Sequence, residues 1–170
     1  SFIVGTLASP GVLAFQPITE KEKVLIFVGS VTDKDTIPAN PYTFQGVLSA
    51  REITADFYKL LKEKYPEIKT MGLIEPNDEA GWADADRLVK EAEAVGLQVI
   101  SKEFFQRGTS DYYPTLTKVM AKNPEAIDIG VTVPAGVPLK QARELGFKGK
   151  LWGAGVDSAS LLSVAGAAAE

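Results

Sequence analysis

The stretch that most constrains this chain is residues 68–111, IKTMGLIEPNDEAGWADADRLVKEAEAVGLQVISKEFFQRGTSD. Met71-Gly72-Leu73-Ile74 is a short apolar run, and Leu97-Gln98-Val99-Ile100-Ser101 is another. Between them Trp82, Ala85, Leu88, Val89, Ala92 and Val95 recur at the spacing of one helix face. Two extended runs joined through a helix make a βαβ crossover, and that unit builds a parallel sheet. Ligands of such sheets collect beyond the carboxyl ends of the strands. Here those ends carry Glu75-Pro76-Asn77-Asp78 and Gln106-Arg107-Gly108-Thr109-Ser110-Asp111, which places a candidate site on the same element that sets the fold.

The alternation continues on both sides. Residues 2–7 read as an apolar strand, and a helix starts near Ser9-Pro10, with Ser9 as cap and Pro10 at the first helical position. Residues 24–28, VLIFV, are apolar throughout, which predicts a strand buried on both faces. A polar loop over 29–42 and an extended segment over 43–48 follow. The helix expected over 50–65 carries Ile53, Phe57, Leu60 and Leu61 as its apolar stripe. Beyond the opening βαβ unit come a helix over 111–122, a strand over 126–133, a helix over 138–145, a strand over 150–154 and a helix over 158–168. Gly146 ends the helix before it in a left-handed conformation. The predicted class is α/β, with three-layer α/β/α lobes built on parallel sheets. Residues 1–45 supply too few elements for a core of their own and form one incomplete lobe; residues 46–170 form most of a second. The chain opens inside an apolar strand and stops in or just after a helix, so it reads as a piece of a longer protein.

Composition removes whole classes of chemistry. The 170 residues are 45% hydrophobic and 24% charged, ordinary for a globular protein. Net charge is −4, so no basic footprint for nucleic acid exists. With His 0 and Cys 0, neither a histidine base, nor a thiolate nucleophile, nor a zinc site of the usual ligands can be built. A carboxylate-only Mg²⁺ or Ca²⁺ site remains open. No Walker A, G-x-S-x-G or H-E-x-x-H pattern occurs, and Gly153-Ala154-Gly155 lacks the third glycine and later acid of a dinucleotide site. An enzyme is therefore not expected, and neither is a cofactor. No apolar run reaches the ~18 residues that span a bilayer.

The loops after the strands are rich in Gly, Ser and Thr, which let a ligand approach the backbone. Free N–H groups at helix starts there favour a carboxylate. Ser9, Ser30 and Thr32 suit this role. Any one of them could simply cap a helix or close a turn; three on neighbouring strands favour a ligand. Asn77 or Asp78 reads first as a cap for the helix behind it, with Gly81 allowing close packing. Asp111 reads as a cap in the same way, and Trp82 as core.

In their order these features resemble the type I periplasmic binding proteins of the leucine/isoleucine/valine-binding kind, the receptors of branched-chain amino-acid ABC transporters. The resemblance covers the whole chain. It rests on Gly5-x-x-x-Ser9, VLIFVGSVT, TFQGVLSA, Asn77-Asp78-x-x-Gly81, Phe104-x-x-x-Gly108-Thr109-x-Asp111 and Gln141-Ala142-Arg143-Glu144-Leu145-Gly146. It implies a bilobed receptor closing on a small ligand, with a hinge near Leu48-Ser49, and a membrane permease as partner. It implies a periplasmic or extracellular location, with a membrane anchor ahead of Ser1 as one arrangement. By the same resemblance Ser9 holds a ligand carboxylate, Ser30 lies where backbone meets the ligand, and Thr32 contacts carboxylate and amine. On the other lobe the family's aromatic positions fall on Ala80 and on residues 131–133, and its acidic position falls on Gly155, with Asp157 as the substitute. The expected ligand is an amino acid or a similar small carboxylate. A ligand-sensing domain of a transcription regulator or receptor with the same fold is the alternative.

Overall fold

The computed structural model describes residues 1–5, 9–29, 40–130, 136–153 and 158–166; the side chains of residues 9–10, 79–80 and 158–160 are outside that description. The chain divides into two compact units, Ser1–Phe57 and Tyr58–Glu170.

The first unit holds β1 (Phe2–Val4), α1 (Ser9–Glu22), β2 (Leu25–Val28) and β3 (Thr43–Gln45). The three strands form a parallel sheet in the order β1-β2-β3. α1 supplies Val12, fully buried against Ile26 and Val28 of β2. It ends where Lys23 takes a positive φ of 52°. The expectation for residues 24–28 needs correction. Ile26 and Val28 are buried, but Leu25 and Phe27 between them are exposed, so β2 is covered on one face. On the open face Phe27 meets Phe2 edge-on at 6.1 Å and stacks on Phe44 at 5.5 Å. An apolar run reports high hydrophobicity, but it cannot report whether both faces find partners.

α2 (Ala50–Lys64) carries the chain across the division. It opens with a reciprocal cap: Glu52 N donates to Ser49 Oγ at 3.3 Å, and Ser49 N donates to Glu52 Oε2 at 2.9 Å. Its buried residues are Thr54 and Tyr58, while Ile53 and Leu60 of the expected stripe are exposed. The stripe is rotated because Tyr58 is drawn inward by a polar partner, described below, which an apolar count does not register.

The second unit holds β4 (Thr70–Pro76), α3 (Glu79–Ala94), β5 (Gln98–Phe105), α4 (Tyr113–Met120), β6 (Ala126–Ile129), α5 (Gly136–Glu144), β7 (Lys150–Trp152) and α6 (Ser158–Ala165). Its sheet runs β5-β4-β6-β7, all parallel. Both sheets and the alternating helices are the α/β architecture that the opening crossover implied. Ile74, Ile127 and Ile129 face a core with Tyr112, Leu116 and Val119 of the α4 segment, Leu139 and Ala142 of α5, and Ala165 of α6. Fully burying each such aliphatic side chain contributes roughly 1.5–3 kcal/mol. Asp128, between Ile127 and Ile129, points to the opposite face, where Tyr58 of α2 reaches it. Helices therefore cover both faces of this sheet. Gly146, with φ of 87°, follows α5 as expected.

Candidate functional site

The carboxyl ends of β4, β5, β6 and β7 form one rim of the second unit. β4 delivers Glu75 and then Pro76, after which the chain turns into α3. Asn77 N donates to Phe105 O at 2.7 Å, which ties the end of β4 to the end of β5. Asp78 caps α3 by accepting from Gly81 N at 3.0 Å, the role its position predicted. Gly81 is required there, because a Cβ would overlap the Pro76 carbonyl. Asp78 also takes Arg107 in a two-pronged pair, Nε to Oδ2 at 2.5 Å and Nη2 to Oδ1 at 3.2 Å. The loop after β5 is thereby fastened to the start of α3.

Trp82 was expected in the core and is not: it is half exposed, and its Nε1 donates to Asn77 Oδ1 at 3.0 Å. It occupies the first turn of α3, where the rim rather than the sheet lies opposite. Asp111 does not occupy the cap position of α4, which Tyr112 takes without a side-chain bond. Asp111 Oδ1 instead accepts from Tyr113 N, two residues on, at 3.1 Å, which closes a turn just ahead of the helix. The turn before it is closed by Thr109 and held to α5 by Gln141, whose Nε2 donates to Ser110 O and whose Oε1 accepts from Tyr112 N. Tyr113 donates its hydroxyl to Glu144 of α5.

Inside this rim, on the face covered by α2 and α3, lies a buried polar group that the sequence reading did not single out. Tyr58 OH donates to Asp128 Oδ2 at 2.5 Å. The parallel register sets Asp128 beside Leu73 on one side and Trp152 on the other, so Trp152 shares its face. Among the described residues Trp152 Nε1 is buried and makes no hydrogen bond of ordinary geometry, yet it lies near enough to Asp128 to favour its carboxylate. One step nearer the rim, Glu75 is only 3% exposed. Its carboxyl leans across to β6 and fills the space that a side chain on Gly130 would need.

Burial dominates the acidity of both carboxyls. It pushes Asp128 up to about 6, although the Tyr58 hydroxyl and the Trp152 N–H pull the other way. It pushes Glu75 up to about 9, with the Asp128 and Asp84 charges adding to the effect and Arg87 and Arg107 opposing it. Burial also raises the Tyr58 hydroxyl above its ordinary value, and the Asp128 charge adds to this. The sequence did carry a signal for this group: Asp128 is a lone charge inside the apolar strand Ala126-Ile127-Asp128-Ile129. A charge there needs a partner from a helix above it.

Of the residues expected to bind ligand, Ser9 is the first residue of α1, and its side chain is not described. Ser30, Thr32 and Asp157 lie outside the described residues. Among the described residues no group of three or more acids is placed to hold a metal ion. Nor is any described helix long and apolar enough to cross a membrane. An open depression lined by Met120, Asn123, Phe147 and Lys148 lies at the amino ends of β6 and β7, away from the rim.

Parallel sheets flanked by helices, with carboxyl-end loops fastened by the Asp78 cap and its Arg107 pair, define an α/β protein of the parallel-sheet class. The sequence matches the Periplasmic binding protein family over residues 1–170, and the chain belongs to that family. The family and the structural neighbours are binding proteins and transport receptors, not enzymes. Among solved structures, a leucine binding protein, LivK, from Thermotoga maritima MSB8 is similar with a TM-score of 0.81 at 26% identity, covering 99% of this chain and 48% of that one. A branched chain amino acid ABC transporter protein from Thermus thermophilus with bound valine has a TM-score of 0.78 at 22% identity, covering 96% of this chain and 43% of that one. An extracellular ligand-binding receptor from Rhodopseudomonas palustris HaA2 has a TM-score of 0.81 at 22% identity, covering 98% of this chain and 47% of that one. The chain thus spans less than half the length of these structures. A search of curated proteins finds no match.

Proposed function

We propose that this chain is part of an extracytoplasmic solute-binding receptor of an ABC importer, taking an amino acid or a similar small carboxylate. The observation that carries this reading is the family match along all 170 residues. The likeness to a leucine binding protein at 26% identity supports it. In this reading Ser9, Ser30 and Thr32 hold the carboxylate through hydroxyls and backbone N–H groups, and Asp157 stands near the amine. The complete receptor closes two lobes on its ligand and hands it to a membrane permease in the periplasm or at the outer cell surface. No bond of the ligand is made or broken.

Equilibrium dialysis against a panel of L-amino acids and their des-amino carboxylates tests this. At least one should bind and be recovered unchanged. Thr32→Ala should weaken that binding by about tenfold or more, the loss expected when a hydrogen bond to a charged group disappears. Recovery of a chemically altered ligand would refute the receptor assignment.

A further inference from the structure

Glu75 is the penultimate residue of β4, and its two neighbours across the sheet are unequal. On the β5 side Phe104 stands in register with it. On the β6 side the strand has just ended at Ile129, and the next residue is Gly130. A ring closes one side and bare backbone leaves the other open. The carboxyl therefore lies over Gly130, where any Cβ would overlap it. One residue before Glu75, Ile74 O accepts from the Gly130 N–H at 2.8 Å. That bond closes the β4–β6 ladder at the rim.

This seat suits a neutral carboxyl and not a charged one. Glu75 is 3% exposed, and among the described residues it accepts no hydrogen bond and makes no ion pair. The groups that face it are already engaged. They are Asp128 of β6, Asp84 and Arg87 of α3, Arg107 of the loop after β5, and Tyr58 of α2. Tyr58 donates to Asp128, Arg87 pairs with Asp84, and Arg107 pairs with Asp78. A charge buried without donors is strongly disfavoured. Burial accordingly holds the acidity of Glu75 at about 9.

We propose that Glu75 is a pH-operated latch on this rim. While it keeps its proton, the carboxyl lies on Gly130 and the ends of β4 and β6 stay joined. When the Glu75 O–H bond breaks, the proton goes to solvent, the carboxylate turns out to water, and the Gly130 bond to Ile74 opens. The Arg107 charge at the rim favours the ionised form. The open rim has released a proton that the closed rim holds, so opening becomes easier as pH rises from the ordinary value of 4.5 to about 9. Within that window each pH unit should raise the open fraction about tenfold, and above it the dependence should level off. The loop that begins at Gly130 leaves the strand end where ligands of this fold collect. The latch thereby ties the geometry of that edge to pH, whichever ligand is bound.

Native-state amide exchange tests this. Below about pH 9, protection of the Gly130 amide should fall about tenfold per pH unit. Small additions of urea should leave it unchanged, because a local opening exposes little surface. In Glu75→Gln the Gly130 protection should be level with pH. A second measurement is ¹³C NMR of the chain labelled at its glutamate carboxyl carbons, with the Glu75 signal assigned through Glu75→Gln. Gly130→Ala fills the seat, so the Glu75 midpoint should drop by at least about one unit as the carboxyl moves into water. A Gly130 amide whose protection is independent of pH overturns the inference. So does one that follows urea in step with the core amide of Ile127, since the rim then opens only when the whole unit does. A Glu75 midpoint unmoved by Gly130→Ala overturns it too. If that variant does not fold, amide exchange in the wild type and in Glu75→Gln decides alone.

Discussion

Thr43 opens β3 with its backbone committed: its N–H donates to Asn40 O at 3.2 Å, and its own position pairs with Ile26 of β2. Its hydroxyl, however, is buried and has no partner among the described residues. Burying a hydroxyl without a hydrogen bond costs about 1–3 kcal/mol by mutational measure. Valine has the same branched shape without the oxygen, and it suits a strand at least as well. Thr43→Val should therefore stabilise the chain by about 1 kcal/mol. Urea denaturation followed by circular dichroism would read this as a higher midpoint at unchanged slope. A lower midpoint would mean that the hydroxyl is satisfied in solution. Asp78 is the opposite case: a single carboxylate serves Gly81 N and the Arg107 fork together, so both its oxygens are engaged. Even so, the ion-pair half contributes little, because both partners are over a third exposed and screened by water.

At the scale of elements, α2 is held to the second sheet by a polar contact where its sequence suggested an apolar one. The Tyr58 ring is fully buried, and its hydroxyl reaches Asp128 at the middle of β6. Tyr58→Phe keeps the ring and removes the donor, leaving a buried carboxyl short of a partner. The loss should be about 1–3 kcal/mol. Amide exchange should quicken in the α2 turns around Tyr58 and in β6, while α4 and α5 stay protected. Uniform loss across the unit would show that the bond is not specific to this pair of elements. The same contact explains what was legible in the chain and what was not. The βαβ crossover, the parallel sheets, the element order and the Gly146 stop are local patterns, written in apolar spacing and in glycine. The rotation of α2 was not legible, because Ile53 and Leu60 look inward by hydrophobicity and only Asp128, seventy positions away, draws Tyr58 in instead. Trp82 failed for a related reason: its periodic phase pointed to the core, but Asn77 at the helix start offered the indole N–H a partner. Of the candidate site, the caps at Asp78 and Gly81 were readable from spacing. The Glu75–Asp128 group was not, since strand register alone brings two acids from separate segments onto one face. Ser30, Thr32 and Asp157 lie outside the described residues and remain proposals.

For the whole molecule, two buried carboxyls set how stability responds to pH. Burial raises Asp128 from 3.8 to about 6 and Glu75 from 4.5 to about 9. Between its ordinary and its raised value, each group holds a proton in the folded chain that it has released in the unfolded one. Unfolding then releases protons, and stability falls as pH rises. The contribution is fully present below the ordinary carboxylate values and is lost as pH climbs through the raised ones. Glu52, Asp86 and Glu125 have their acidity shifted the other way by hydrogen bonds, chiefly from Ser49, Lys102 and Lys69 respectively. They lose their contribution only in acid, below the ordinary range, so they do not blur the window above Asp128. From about 6 to about 9 the decline belongs chiefly to Glu75. Urea midpoints across that window should fall steadily for the wild-type chain. In Glu75→Gln, which keeps the size and cannot ionise, the midpoint should be nearly flat with pH. A wild-type midpoint that stays level from neutral to alkaline pH would mean that Glu75 is already ionised when folded.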